Sequence, residues 1–389
     1  MKFIHLADLH LGKRVHEISL IRDQEVMLQS IRDLCAKEKP EALLIAGDVF
    51  DKAIPSLEAV RLLETFLEDL SRTGLTVFLV AGNHDSGERL AFGSAFFGSH
   101  GIHVAGVYEG RVERFVLQDS QGPVTLHLLP FIRLSDVRKF FPDRELESVE
   151  AGVAAVLSSI ERGPGRHVLV AHQFVTARGM EPLRSDSEIL QVGLADEIDA
   201  SVFAGFDYVA LGHLHRRQQV GPGPVHYAGS PLAYSFSEAG QVKGALLVDL
   251  PQGGDARVSQ LPLAPLHSMR RVRGKIEELI GQGHELEEQG DPARLDYLEV
   301  TLTDEGAVTD PMNRLKTVYP NIMRLLFDRG LEEIGEDALI DQDSFQTMDL
   351  ADLFSRFFLE QAGRPLTESQ LAVVQEVAEK TGAIGETDR

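Results

Sequence analysis

Seven side chains able to hold metal ions sit where five apolar runs end. FIHLA leads to Asp8 and His10, and ALLIAG leads to Asp48 with Asp51 three residues on. TVFLVAG leads to Asn83, His84 and Asp85, HVLVA to His172, and YVALG to His213 and His215. One such motif is commonplace, because a lone histidine at a strand end is usually a hydrogen-bonded core residue. Five in order are a constellation. Asp8, His10, Asp48, Asn83, His172, His213 and His215 mix hard oxygen donors with imidazoles and include no thiolate. That set suits Mn²⁺, iron or Zn²⁺ better than Ca²⁺ or a structural zinc cage. Seven donors suffice for two divalent cations if one carboxylate bridges them, and Asp48, directly after Gly47 at a strand end, can project between two ions. His213 and His215 are two apart, so on extended chain they share one face and can each reach a different ion.

Elements that would position these donors are legible around them. The runs are rich in Val, Ile and Leu on both faces, as strands buried between layers are. Residues 20–37 and 57–72 carry apolar side chains at spacings of three and four and predict helices. Strand–helix alternation argues for an α/β layered domain, with ligands collected at strand C-termini. Residues 221–251 predict hairpins that finish the sheet. After a Pro-rich strip at 261–269, residues 270–330 predict strand, helix, strand, helix and strand, a small second domain. An acidic connector (331–343) precedes two amphipathic helices, 347–362 and 367–380. The expected division is 1–265, 266–335 and 344–385.

At 389 residues the chain is too long for one ordinary core. With 43% apolar and 25% charged residues it is neither disordered nor fibrous. No apolar run is long enough for a membrane span, and Asp8 interrupts any signal-peptide core, so the expected location is the cytoplasm. The one cysteine, Cys35, lies in a helix-like segment and is expected as a small buried hydrophobe. A net charge of −22 argues at first against a nucleic-acid partner. The acidity is uneven: residues 1–275 carry −5 and residues 276–389 carry −17. The metal-binding part can therefore still present a basic surface.

The order D-x-H, GDxxD, GNHD, H, GHxH resembles the calcineurin-like metallophosphoesterases. The flanks DLHLGK (8–13), GDVFD (47–51), AGNHDS (81–86), AHQF (171–174), LGHLH (211–215) and YAGSPLAYSFSE (227–238) are similar to the SbcD family, nuclease subunits of bacterial SbcCD complexes. The resemblance implies a metallophosphoesterase β-sandwich flanked by helices over residues 1 to about 250, with a small α+β capping domain and C-terminal helices. It implies two divalent ions, Mn²⁺ foremost: one held by Asp8, His10, Asp48 and His215, the other by Asp48, Asn83, His172 and His213. His84 would stand at the leaving oxygen, and Asp51, a histidine in archaeal relatives, would orient His84 or raise its pKa. Two cations about 3.5–4 Å apart answer both difficulties of a phosphodiester, its negative charge and its poor leaving group. Beside them Lys13, Arg14, Arg178, Arg184, Arg216 and Arg217 could track a DNA backbone.

The implied activity is that of a double-strand exonuclease and single-strand endonuclease in DNA repair. The implied partner is an SbcC-type coiled-coil ATPase, docked on the C-terminal helices with Phe354, Phe357 and Phe358. A homodimer within a heterotetramer is also implied, through 57–72 and 87–97 with Phe92, Phe96 and Phe97, where core packing is the alternative. A phosphoesterase acting on nucleotides or phosphoproteins is the rival activity, disfavoured on the phosphoprotein side by Lys52 where that branch carries Arg. A scaffold with a decayed site is the third. His5, His103, His127, His167 and His226 are expected to be structural.

Overall fold

The structure is a computed structural model and describes residues 1–177, 180, 182–188, 197–328, 351, 353–355, 358 and 365–380. Its compact units are Met1–Arg271 with Asp291–Glu299 and Asn321–Arg324, and Val272–Gly290 with Val300–Pro320 and Leu325–Arg389. In chain order the first unit contributes β1 (Lys2–Leu6), α1 (Ile21–Glu38), β2 (Ala42–Ala46), α2 (Leu57–Arg72), β3 (Thr76–Val80) and β4 (Ile102–Ala105). There follow β5 (Glu113–Asp119), β6 (Gly122–Leu129), α3 (Val149–Ser158), β7 (Arg166–His172) and β8 (Tyr208–Gly212). Last come β9 (Gln218–Gln219), β10 (Val225–Tyr227), β11 (Gly244–Asp249) and β12 (Arg257–Pro262).

Two six-stranded sheets result, in the orders β12-β11-β1-β2-β3-β4 and β9-β10-β8-β7-β6-β5. Strands β1 to β4 run parallel, as do β6, β7, β8 and β10. The alternation of side chains along each strand decides the layers. Phe3, Leu44, Phe78, Val168, Val170 and Tyr208 point into one shared core. Their neighbours Ile4, Leu43 and Ile45 face a second core with Met27 and Ile31 of α1 and Leu63 and Phe66 of α2. Leu169 and Leu211 face a third core with Val153 and Val156 of α3. The first unit is thus a helix–sheet–sheet–helix sandwich. Both amphipathic helices form where the spacing places them, and α2 starts on Ser56, whose hydroxyl accepts from Ala59 N at 3.2 Å.

The segment 221–251 takes part in hairpins as expected, β9 with β10 and β11 with β12, each antiparallel. The two finish different sheets: β10 also joins β8 in parallel, and β11 also pairs antiparallel with β1 in the other sheet. A strap over residues 228–243 therefore passes from one sheet to the other. Cys35 is buried, and burial pushes its thiol up to about 11. Of the histidines expected to be structural, His5 Nδ1 lies 3.0 Å from the Tyr208 hydroxyl, and His127 Nε2 lies 3.0 Å from His167 Nδ1. His103 stacks on Phe78, and His226 on Tyr208.

Strands β13 (Met269–Gly274), β14 (Tyr297–Leu302) and β15 (Ile322–Phe327) form a three-stranded sheet in that order. In the second unit α4 (Ile276–Gln289) packs against α5 (Pro311–Lys316) and the turn after it. Gly283 is required there, since a Cβ would fall 2.6 Å from Val318. Asp304 Oδ2 accepts from Ile276 N at 3.0 Å, at the start of α4. The expected helix at 347–362 lies mostly outside the described residues, as does Phe357. α6 (Glu368–Lys380) is described. No helix among the described residues is long and apolar enough to cross a membrane.

A buried cluster on Asp119, which pairs with Arg166 and with the Met1 ammonium at 2.7 Å, ties the second sheet to the first. Arg166, which begins β7, bonds the Asp119 carboxylate at 2.5 Å, the Leu250 carbonyl at 2.7 Å and the Gly122 carbonyl at 3.0 Å. The Arg166 guanidinium holds the Asp119 carboxyl well below the ordinary value of 3.8. A depressed carboxyl stabilises the fold above its unfolded value, and that contribution fades as pH falls below about 4. Asp119→Asn should therefore cost about 3–5 kcal/mol at pH 7 by stranding a buried guanidinium. In denaturant titrations the gap to the wild type should narrow as pH falls from 4 towards 2; a gap independent of pH contradicts this.

Candidate metal centre

The donors gather because neighbouring parallel strands end at the same edge. β1, β2 and β3 deliver Asp8, Asp48 and Asn83 from one sheet. β7 ends on His172, whose register partner is Gly212 at the end of β8, one residue before His213. Beyond the strands the backbone turns sharply. Asp8, His10, Asp48 and His213 have φ of 54°, 44°, 48° and 110°, a left-handed conformation that non-glycine residues rarely adopt. Each costs on the order of 1–3 kcal/mol and persists where surrounding bonds over-determine it. Here Asp8 N donates to Gly47 O at 3.0 Å, His10 N to Asp48 O at 2.9 Å and Leu11 N to Val49 O at 2.9 Å. Space is equally restricted. A Cβ on Gly82 would lie 2.1 Å from Asp48 Oδ1, and one on Gly212 would lie 1.9 Å from the Ala46 carbonyl.

Two groups of atoms emerge. In one, His10 Nε2 and His215 Nε2 are 3.1 Å apart, and Asp8 joins them as a third donor. In the other, Asn83 Oδ1 lies 3.0 Å from both His172 Nε2 and His213 Nδ1, and Asp48 Oδ2 lies 3.4 Å from His172 Nε2. Asp48 Oδ2 is also 3.7 Å from His10 Nε2, so this carboxylate stands between the groups. All seven expected donors are brought together.

The electrostatics call for cations. Asp8 and Asp48 are 0% and 2% exposed, and among the described residues no lysine or arginine pairs with either. Burial pushes the Asp8 carboxyl well above its ordinary value, against the opposing pull of His172. Burial alone would lower His172, but Asp48 outweighs it and lifts the imidazole to about 9. Burial lowers His213 to about 3 and also lowers His10 and His215, leaving neutral rings with lone pairs to donate. His172 Nδ1 donates to the Ala46 carbonyl at 2.8 Å, which aims Nε2 at the site. Buried carboxylates that no lysine or arginine offsets, beside the neutral imidazoles of His10, His213 and His215, suit a divalent metal site.

His84 is part-exposed, as is His213, and its side chain is 13% exposed. Its Nε2 is 4.0 Å from Asp48 Oδ2, close enough for His84 to join His10 and Asp48 around a single ion. The expectation for Asp51 is corrected in its atom. The main-chain carbonyl of Asp51, not its carboxylate, accepts from His84 Nδ1 at 2.9 Å. The carboxylate turns the other way, 2.8 Å from Lys13 Nζ and 3.7 Å from His10 Nδ1. A main-chain contact leaves no trace in residue identity.

Several further residues build the site without being donors in it. Asp85 accepts from Gly82 N, Phe50 N and Val49 N at 2.9, 2.8 and 3.1 Å and so clamps the second and third motif loops together. Gln24 on α1 donates to His10 O at 2.7 Å and accepts from Gly12 N at 2.9 Å. Tyr234 donates to Leu9 O and sets its ring edge against His10 and His215. Glu188 accepts from His215 N at 2.7 Å, while its other oxygen has no partner among the described residues. Sequence reasoning missed these roles; the signals for them were Asp85 inside GNHD and the Tyr and Glu of YAGSPLAYSFSE.

Of the expected DNA contacts, Lys13 is largely buried in its pair with Asp51. Arg184 stacks over Phe174, 4.7 Å from the ring centre, and Phe174 in turn faces His213. Arg14, Arg216 and Arg217 are exposed, and Arg178 lies outside the described residues.

Comparison with known proteins agrees with this geometry. Residues 1–217 match the calcineurin-like phosphoesterase family, and residues 265–362 match the type 5 capsule protein repressor C-terminal domain. The SbcD subunit of nuclease SbcCD from Staphylococcus epidermidis is 33% identical over 336 residues, which cover 84% of this chain and 85% of that protein. Its namesake from Staphylococcus saprophyticus is 30% identical over 392 residues, 97% of each. Among solved structures, GAP50, the anchor in the inner membrane complex of Plasmodium, aligns at TM-score 0.42 and 13% identity, over 68% of this chain and 89% of that one. With its Asp, Asn and His motifs in family order and its similarity running nearly end to end, the chain belongs to the calcineurin-like phosphoesterases, in the SbcD family of nuclease subunits.

Proposed function

We propose that this chain hydrolyses DNA phosphodiesters as the nuclease subunit of an SbcCD-type complex, as a double-strand exonuclease and single-strand endonuclease in cytoplasmic DNA repair. The observation that carries this is the meeting of Asp8, His10, Asp48, Asn83, His172, His213 and His215 around the buried Asp48 carboxylate. Asp8, His10, Asp48 and His215 would hold one Mn²⁺, and Asp48, Asn83, His172 and His213 the other. When bound, such a pair neutralises the phosphodiester and activates water near neutral pH.

The protein's own part is orientation and proton transfer. His84 Nδ1 donates to the Asp51 carbonyl, so that proton stays in place and Nε2 is the nitrogen that holds or releases the proton for the leaving oxygen. Arg14, Arg184, Arg216 and Arg217 supply charge for the phosphate backbone, while Lys13 acts at one remove through Asp51. The three-part division at 1–265, 266–335 and 344–385 is retained in this reading, with the last segment docking a coiled-coil ATPase of the SbcC type. A homodimer face is supported by a 1020 Å³ groove that includes Leu67, Phe92, Phe96 and Phe97 and none of the seven donors. Phe92 and Phe96 are 83% and 68% exposed there, which disfavours a core role for them.

Two experiments bear on this. His84→Gln should retain both metal equivalents and lose about 10²–10⁴-fold in turnover, whereas His172→Ala should lose one equivalent. Parallel loss of metal and turnover in His84→Gln would make His84 a ligand. With Mn²⁺ the chain should cut plasmid and hairpin DNA, stop with EDTA, and act poorly on p-nitrophenyl phosphate esters; the reverse preference would favour a nucleotide or phosphoprotein phosphoesterase.

A further inference from the structure

We propose that Ser187 and Glu238 form a hydroxyl relay that fixes His215 in the tautomer with a free Nε2, and so governs occupancy of one ion site and not the other. This rests on the two-ion reading above. Glu238 is fully buried on the strap, and its Oε2 receives Lys243 Nζ at 2.5 Å and Ser230 Oγ at 3.2 Å. Its Oε1 lies 2.6 Å from Ser187 Oγ, which is itself 2.8 Å from His215 Nδ1. A serine hydroxyl has one proton, and a carboxylate paired with lysine can only accept. The Ser187 proton therefore goes to Glu238, and Ser187 Oγ must accept from His215 Nδ1–H. Nε2 is left with its lone pair, aimed at the point shared with His10 Nε2.

The same network holds the His215 main chain. Lys243 Nζ donates to His215 O at 2.8 Å, and Glu188 accepts from His215 N. The other site is built differently. His172 takes its orientation from the Ala46 carbonyl and His213 N donates to Asp8, and among the described residues no serine or buried lysine bonds either ring. Loss of one hydroxyl should therefore be felt on one side only. Ser187 is a positioning residue in this scheme, acting through His215.

The test is calorimetric titration of the metal-free full-length chain with Mn²⁺, with thermal unfolding of the metal-free proteins as the folding control. Ser187→Ala should weaken one binding step by about 10–100-fold and leave the second as in the wild type. Ser187→Thr, which keeps the hydroxyl, should restore the weakened step. Unchanged binding in Ser187→Ala, equal weakening of both steps, or a threonine variant as weak as the alanine one would overturn the relay. A wild-type chain that binds fewer than two equivalents would instead overturn the two-ion reading, and the relay with it.

Discussion

Two buried carboxylates that pair with no lysine or arginine among the described residues are the constraint on which this molecule turns. Asp8 and Asp48 lie at the closed edge of the sandwich, where an isolated negative charge is costly, and Lys13 and Lys243 are engaged by Asp51 and Glu238. Relief comes in part from His172, whose imidazole Asp48 lifts to about 9. Full relief needs cations. The neutral rings of His10, His213 and His215 are positioned to bind them, and the site's chemistry follows from that requirement rather than from any single residue.

The architecture serves this edge. Parallel strands that end together can present donors from chain positions as distant as Asp8 and His215, but only if the backbone turns at once beyond each strand. The left-handed conformations at Asp8, His10, Asp48 and His213 make those turns, and the bonds between the first two loops hold them. Asp85 fixes the third loop to the second, and the strap carries Tyr234 and Glu238 behind His10 and His215. Backbone strain and buried charge are thus concentrated in one place, with the two inner sheet faces as the rigid support.

What was legible in the sequence was chemistry at strand ends, because donor type and apolar runs are both written in residue identity. The sandwich layers were legible for the same reason: Ile4 and Leu43 turn out to alternate with Phe3 and Leu44 between two cores. Contacts made by main-chain atoms were not legible. The carbonyl of Asp51 holds His84 while its side chain serves Lys13, and nothing in the letters separates those roles. Pairings between distant segments were equally hidden: Ser187 meets Glu238 across 51 positions, and β11, besides its hairpin with β12, joins β1. Gln24 looks like an ordinary polar residue on a helix until its amide is seen holding the His10 loop.

The most direct measurement of the shared-carboxylate metal pair is anomalous diffraction at the manganese edge from crystals grown with Mn²⁺. Two peaks roughly 3.5–4 Å apart are expected, with the Asp48 carboxylate between them, His10 and His215 on one, His172 and His213 on the other. A single peak, or two peaks that do not share Asp48, would contradict it.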